Sequence, residues 1–152
     1  MAGSIESRLE GLGIVLPSPP ISGGNYLAAR TVGNVVYLAG VISINDGAVL
    51  TGTAGVSRTV EDGYFAARAC VLTQLAVLRN HLGSLDAVKS VISLNGYVNA
   101  APGFADSPKI INGASDLLVE IFGDRGRHVR AAIGVSALPL NALVEVQMAV
   151  EI

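Results

Sequence analysis

The sequence predicts an α+β fold, a β-sheet carrying two amphipathic helices on one face, and three observations predict it. Segments rich in β-branched and aromatic residues, separated by turn residues, open and close the chain. One long stretch repeats apolar residues in steps of three and four. The resulting order of strands, helix, strand, helix, strands suits hairpins and helices layered around one core.

Ser4 can cap a short helix over about residues 5 to 11, which Gly11 and Gly13 end. The segment "LPSPPISGGN" holds three prolines and two glycines, which suit neither ladder nor helix. "YLAARTVGNVVYLAGVISI" reads as two short strands around a Gly33-Asn34 turn, and "NDGAVLTGTAG" as a turn-rich excursion. From about residue 59 to 82, Val60, Tyr64, Ala67, Val71, Leu75, Leu78 and Leu82 make the stripe of a long helix. Thr59 and Asp62 stand at capping-box spacing, and Gly83 suits the C-terminal cap. "AVKSVISLNGYVN" follows as a strand. Ser107-Pro108 starts a second helical region, proline costing nothing in a first turn. That region ends at Gly123, and Asn112-Gly113 is expected to break or bend it.

The closing segment, "RHVRAAIGVSALPLNALVEVQMAVEI", reads as two strands joined by about five residues, hence an antiparallel hairpin. In the first, Val129, Ala131, Ile133, Val135 and Ala137 alternate with Arg130, Ala132, Gly134 and Ser136. In the second, Val144, Val146, Met148, Val150 and Ile152 alternate with Glu145, Gln147 and Glu151. Matching the two apolar sets puts Arg130 and Glu145 on the same face, opposite the helices, on the order of 13 Å apart. Ala132 and Gly134 then leave room beside Arg130, whose two parallel donors suit a carboxylate. The plainer alternative is an arginine paired with an acidic side chain at a subunit interface.

Charged residues are 14% of the 152 and apolar residues 51%. A surface so poor in charge implies burial against other subunits, hence a homo-oligomer. A net charge of −2 offers no footprint for a phosphate backbone, so nucleic acid is not an expected partner. The start "MAGSIESRLE" lacks the pattern of a secretory signal. The most apolar stretch, residues 131 to 150, is interrupted by Pro139, Asn141, Glu145 and Gln147, so no membrane span is expected. A single cysteine, Cys70, allows no intrachain disulfide and fits a reducing, cytoplasmic setting. No linker or internal repeat divides residues 1–152, which are expected to form one domain with an N-terminal extension over 1–16.

Other candidate residues read as structural. His81, at a helix end, is expected to face the last carbonyls rather than a metal. His128, two residues before Arg130, shares its strand face and could stand at a cleft rim. Neither joins a Cys/His cluster, so no metal site is expected. Cys70 lacks an activating neighbour in sequence and reads as a buried thiol. "GTAGVSR" matches no phosphate loop, and its Ser57 reads as a helix-entry residue.

The segments "GGNYLAARTVGNVVYLAG", "VRAAIGVSALP" and "VEVQMAV" resemble the Rid/YjgF-like family, which includes the reactive-intermediate imine deaminases. The likeness covers nearly the whole chain beyond about residue 17. The extension "SIESRLEGLGIVLP" and the stretch "INGASDLLVEIFGDRG" resemble a longer subgroup. The resemblance implies a chorismate-mutase-like fold with a mixed sheet, a homotrimer, and ligand clefts between subunits. It further implies that Arg130 holds a substrate carboxylate and that Glu145 stands near the attacking water. Tyr26, Gly40, Asn112 and the backbone of Ala132 would line the cleft. Family deaminases often carry a hydroxyl residue where Ala39 stands and a cysteine where Ala132 stands.

Two functions follow as expectations. The first is cofactor-free hydrolysis of a 2-imino or enamine acid, such as 2-aminoacrylate, to a 2-keto acid and ammonia. The second is a non-catalytic trimer that binds or senses a small carboxylate. Ribonuclease activity, attached to some relatives, fits the acidic balance poorly.

Overall fold

The computed structural model describes residues 3–152. Helix α1 (Ile5–Gly11) starts at Ser4, whose hydroxyl accepts from the Ser7 backbone. Its first turn is also capped from outside, because the Asp86 carboxylate accepts the Ile5 and Glu6 N–H groups. Glu6 in turn bridges Arg79 and the Leu85 N–H. These bonds and buried Ile5 and Leu9 dock the extension against the body of the protein.

Strands β1 (Ala29–Val32) and β2 (Val35–Leu38) form the expected hairpin about Gly33-Asn34. Strand β3 (Val41–Ile42) follows after a break at Ala39-Gly40. The excursion beyond it holds a two-stranded ribbon, β4 (Ile44–Asn45) with β5 (Ala48–Val49). Helix α2 (Val60–Leu82) has the Thr59–Asp62 capping box and ends on Gly83 at φ 85°. Strand β6 (Ser90–Asn99), helix α3 (Ser107–Phe122), strand β7 (Val129–Val135) and strand β8 (Val144–Glu151) complete the chain.

The sheet order is β1-β2-β8-β6-β7, with β3 also pairing to β8. β7 runs parallel to β6, and β8 antiparallel to it, so the sheet is mixed. The expected hairpin between the last two strands therefore does not form. α3 is the crossover that a parallel β6–β7 pair requires, and it leaves β7 at one edge with β6 between it and β8. Two strand spacings of about 4.8 Å are short enough for residues 136–143 to step across the end of β6. A short connection thus did not mean adjacency.

Both long helices cover one face, over Val91, Leu94, Val98, Val144, Val146 and Val150, all buried. α3 is unbroken, contrary to the expectation at Asn112-Gly113. Gly113 is there for a close helix crossing: a Cβ at this position would lie 2.0 Å from the Tyr64 carbonyl oxygen of α2. Gly63 answers it from α2, where a Cβ would strike Ile110 at 2.6 Å. Packing outweighs the helix propensity that glycine lacks.

Candidate functional site

The register separates Arg130 from Glu145. Arg130 pairs with Leu94, which pairs with Met148, and both partners are buried beneath the helices. Glu145 pairs with Tyr97, which pairs with Ile133, so these three share the opposite, open face. Paired residues project to the same side of a sheet, which puts the two charges on opposite sides. The expectation that they share a face is corrected. It failed because the apolar odd set of β7 faces outward: Val129 is 72% exposed and Ile133 49%.

Around Glu145 lies a cavity of about 530 Å³, to which Tyr26, Ala28, Ala39, Gly40, Val77 and Leu140 contribute. The break between β2 and β3 makes the space. Gln74, fully buried in α2, bonds the carbonyls of Ala39 and Val146 through its amide nitrogen at 3.0 and 2.9 Å. Ladder bonds lost at the break are replaced there by a side chain. Gly40 abuts the carboxylate so closely that a Cβ would stand 2.5 Å from Glu145 Oε2. Tyr26 is half exposed, and its hydroxyl accepts from the Gly23 N–H at 3.2 Å, closing the glycine loop.

Among the described residues the Glu145 carboxylate has no ion-pair partner, and burial is the one influence on its ionisation. Burial alone pushes its carboxyl above the ordinary value of 4.5. An unpaired carboxylate in a mostly apolar cavity is suited to take a proton. The rim carries strain as well, since Leu140 and Asn141 both have left-handed backbones, at φ 54° and 55°. Buried Asn99 holds that turn by bonds from its amide to Asn141 Oδ1 and the Ala142 carbonyl, each 3.2 Å.

On the other side of the sheet, Arg130 is exposed and lies against α3. Its Nη1 donates to Ser115 Oγ at 3.0 Å and its Nη2 to the Pro108 carbonyl at 3.2 Å. None of the three ion pairs among the described residues involves it. Asn112 stands between Pro108 and Ser115 on the same helix stripe, at spacings of four and three. Ala132 and Gly134 share the Arg130 side, but they do not open a trough. Ala132 packs on the core, and a Cβ on Gly134 would meet Ala100 at 3.3 Å and Ser107 at 3.5 Å. Small residues there let α3 approach.

The six expected residues thus fall into two separate groups: Tyr26, Gly40 and Glu145 at the cavity, and Arg130, Asn112 and Ala132 on the helix side near the β7 edge. Sequence reasoning missed Gln74 and Ser115. A glutamine on the buried face of a long apolar helix was the available signal for the first; for the second there was none. His81 does not face helix carbonyls, since Nε2 lies 2.8 Å from Thr31 Oγ1. His128 does reach the Arg130 side, with Nε2 2.8 Å from Ser115 Oγ. Cys70 is wholly buried, its thiol pushed up by burial first and by Glu145 second, and it is unreactive.

No helix among the described residues is long and apolar enough to cross a membrane. The sequence profile described as "YjgF/chorismate mutase-like, putative endoribonuclease" matches residues 6–152. Protein TCP17 of Trypanosoma cruzi is 41% identical over 99% of this chain and 96% of its own length. The crystal structure of Atu1372 from Agrobacterium tumefaciens is 39% identical, with TM-score 0.88, covering 97% of this chain and 91% of that one. A Shewanella oneidensis structure with the same endoribonuclease description is 36% identical, with TM-score 0.94, over 99% and 100% of the two chains. With a matched profile over nearly its whole length and a fold to agree, the chain belongs to the YjgF/chorismate mutase-like (Rid/YjgF) family.

Proposed function

We propose that the protein hydrolyses 2-imino acids to 2-keto acids and ammonia, in a cleft that two copies of the chain build together. The observation that carries this reading is a pair of unpaired, opposite charges on opposite faces of one sheet. Among the described residues neither has an ion-pair partner. Arg130 of one copy, beside Asn112, would grip the substrate carboxylate through its remaining donors. Glu145 of the next copy, between Gly40 and Tyr26, would face the imine carbon.

Water adds to the carbon of the protonated imine as Glu145 takes its proton, and the C=N electron pair moves to nitrogen, giving a neutral carbinolamine. Glu145 then gives that proton to the amine nitrogen, the hydroxyl proton passes back to Glu145 as the C=O bond forms, and the C–N bond breaks to release ammonia. Because an imine is already electrophilic, a general base with a raised pKa and a fixed carboxylate suffice, and no cofactor enters.

The test is release of pyruvate from freshly generated 2-aminoacrylate. Hydrolysis at least tenfold above the spontaneous rate is the expected result. Ala39, standing where a hydroxyl residue would help hold water, favours a second reading, a trimer that binds small carboxylates without turning them over. Tight 2-ketobutyrate binding with no acceleration would select that reading.

A further inference from the structure

Arg130 ends a hydrogen-bonded chain whose direction can be read from its chemistry. The chain begins at the Gly126 carbonyl, which lies 2.7 Å from His128 Nδ1. A carbonyl only accepts, so Nδ1 carries the imidazole proton. In that neutral tautomer Nε2 is an acceptor, and it stands 2.8 Å from Ser115 Oγ. The serine has one proton, which this contact takes. Its lone pairs are therefore left for Arg130 Nη1 at 3.0 Å.

The root of the chain is closely packed. Gly126 is buried, and a Cβ on it would lie 2.2 Å from the Leu118 carbonyl oxygen. The turn that presents this carbonyl to the imidazole therefore packs directly against the backbone of α3. Every acceptor offered to Arg130 is neutral, namely a hydroxyl and the Pro108 carbonyl. Asp116, the sequence neighbour of Ser115, is engaged elsewhere, accepting from the Tyr64 hydroxyl at 2.7 Å. An acidic partner would hold the guanidinium equally well but cancel its charge and compete with an incoming carboxylate. A serine aligned by a histidine fixes direction and leaves the charge free.

We propose that Ser115 and His128 are positioning residues that aim the Arg130 guanidinium at a planar carboxylate before any ligand arrives. An arginine on an exposed edge strand otherwise samples many rotamers, and ordering it on binding would weaken affinity. Two of its five donors are spent on α3, and the other three stay available. This inference rests on Arg130 being the carboxylate anchor, and the two claims are separable.

Calorimetric titration with 2-ketobutyrate tests them. Ser115→Ala should weaken binding about tenfold, the scale of one charge-assisted hydrogen bond. Ser115→Thr, which keeps the hydroxyl, should return to within about twofold of wild type. His128→Phe, on a different segment, should match Ser115→Ala and carries the test if that variant does not fold. In an Arg130→Lys background, where no fork remains to aim, Ser115→Ala should cost less than about twofold. Equal losses in both backgrounds, or wild-type affinity in Ser115→Ala or His128→Phe, would overturn the positioning role alone. Wild-type affinity in Arg130→Ala would instead overturn the anchor itself.

Discussion

Glu145 shows at the scale of one residue how a site can cost stability. Burial raises its folded pKa above the ordinary 4.5. Its contribution to stability is therefore complete below that value and is lost as pH rises through the folded pKa, where the unfolded chain ionises more readily. Glu145→Gln removes the charge and should raise the melting temperature at pH 7 by about one to three degrees. The gain should vanish near pH 4, where both forms are neutral. The same variant should slow imine hydrolysis by at least about a hundredfold, with far less effect on 2-ketobutyrate affinity. A variant that melts lower at pH 7, or keeps full turnover, would mean that Glu145 is held by a partner or is no base. The residue type was legible in the sequence as one acid among apolar neighbours. Its isolation was not, because nothing local says that Gly40 and Gln74, on two other elements, would open a cavity around it.

Elements were mostly legible where local chemistry decided them. The Thr59–Asp62 box and Gly83 bound α2 as their spacing predicts, and Gly33-Asn34 turns the first hairpin. α3 is the instructive exception. Propensity alone places a defect at Asn112-Gly113, yet the helix runs through, because Gly113 is the contact at which α2 reaches α3. Gly113→Ala improves helix propensity but drives a methyl into the Tyr64 carbonyl. It should destabilise the protein by about 3 kcal/mol, the upper range for overpacking. Urea denaturation measures this directly, and a neutral or stabilising result would show that the helices can separate without cost.

For the whole molecule, the open sheet face is the deciding feature. Val129, Ile133 and Tyr37 lie on it, and all three are exposed in the isolated chain. Such a face is expected to be covered by other copies. Light scattering at micromolar concentration should give about three times the 15.5 kDa chain mass. Ile133→Arg, which sets a charge on that face while leaving the helix side untouched, should yield a folded monomer without hydrolytic activity. A wild-type monomer that still hydrolyses imines would remove the proposed shared cleft.

The sequence by itself determined the element order and the caps that bound the long helix, since these depend on neighbours within a few positions. Periodicity and capping act locally, so they survive without knowledge of the fold. Only the tertiary structure decided that β6 lies between the last two strands. That placement follows from the α3 crossover, whose geometry couples residues far apart in the chain. It reversed the face assigned to Arg130 and separated it from Glu145. A strand carries no mark of which face its neighbours will cover. Alternation in β7 was plain to read, but which side was inside was decided by the helices packed above β6 and β8.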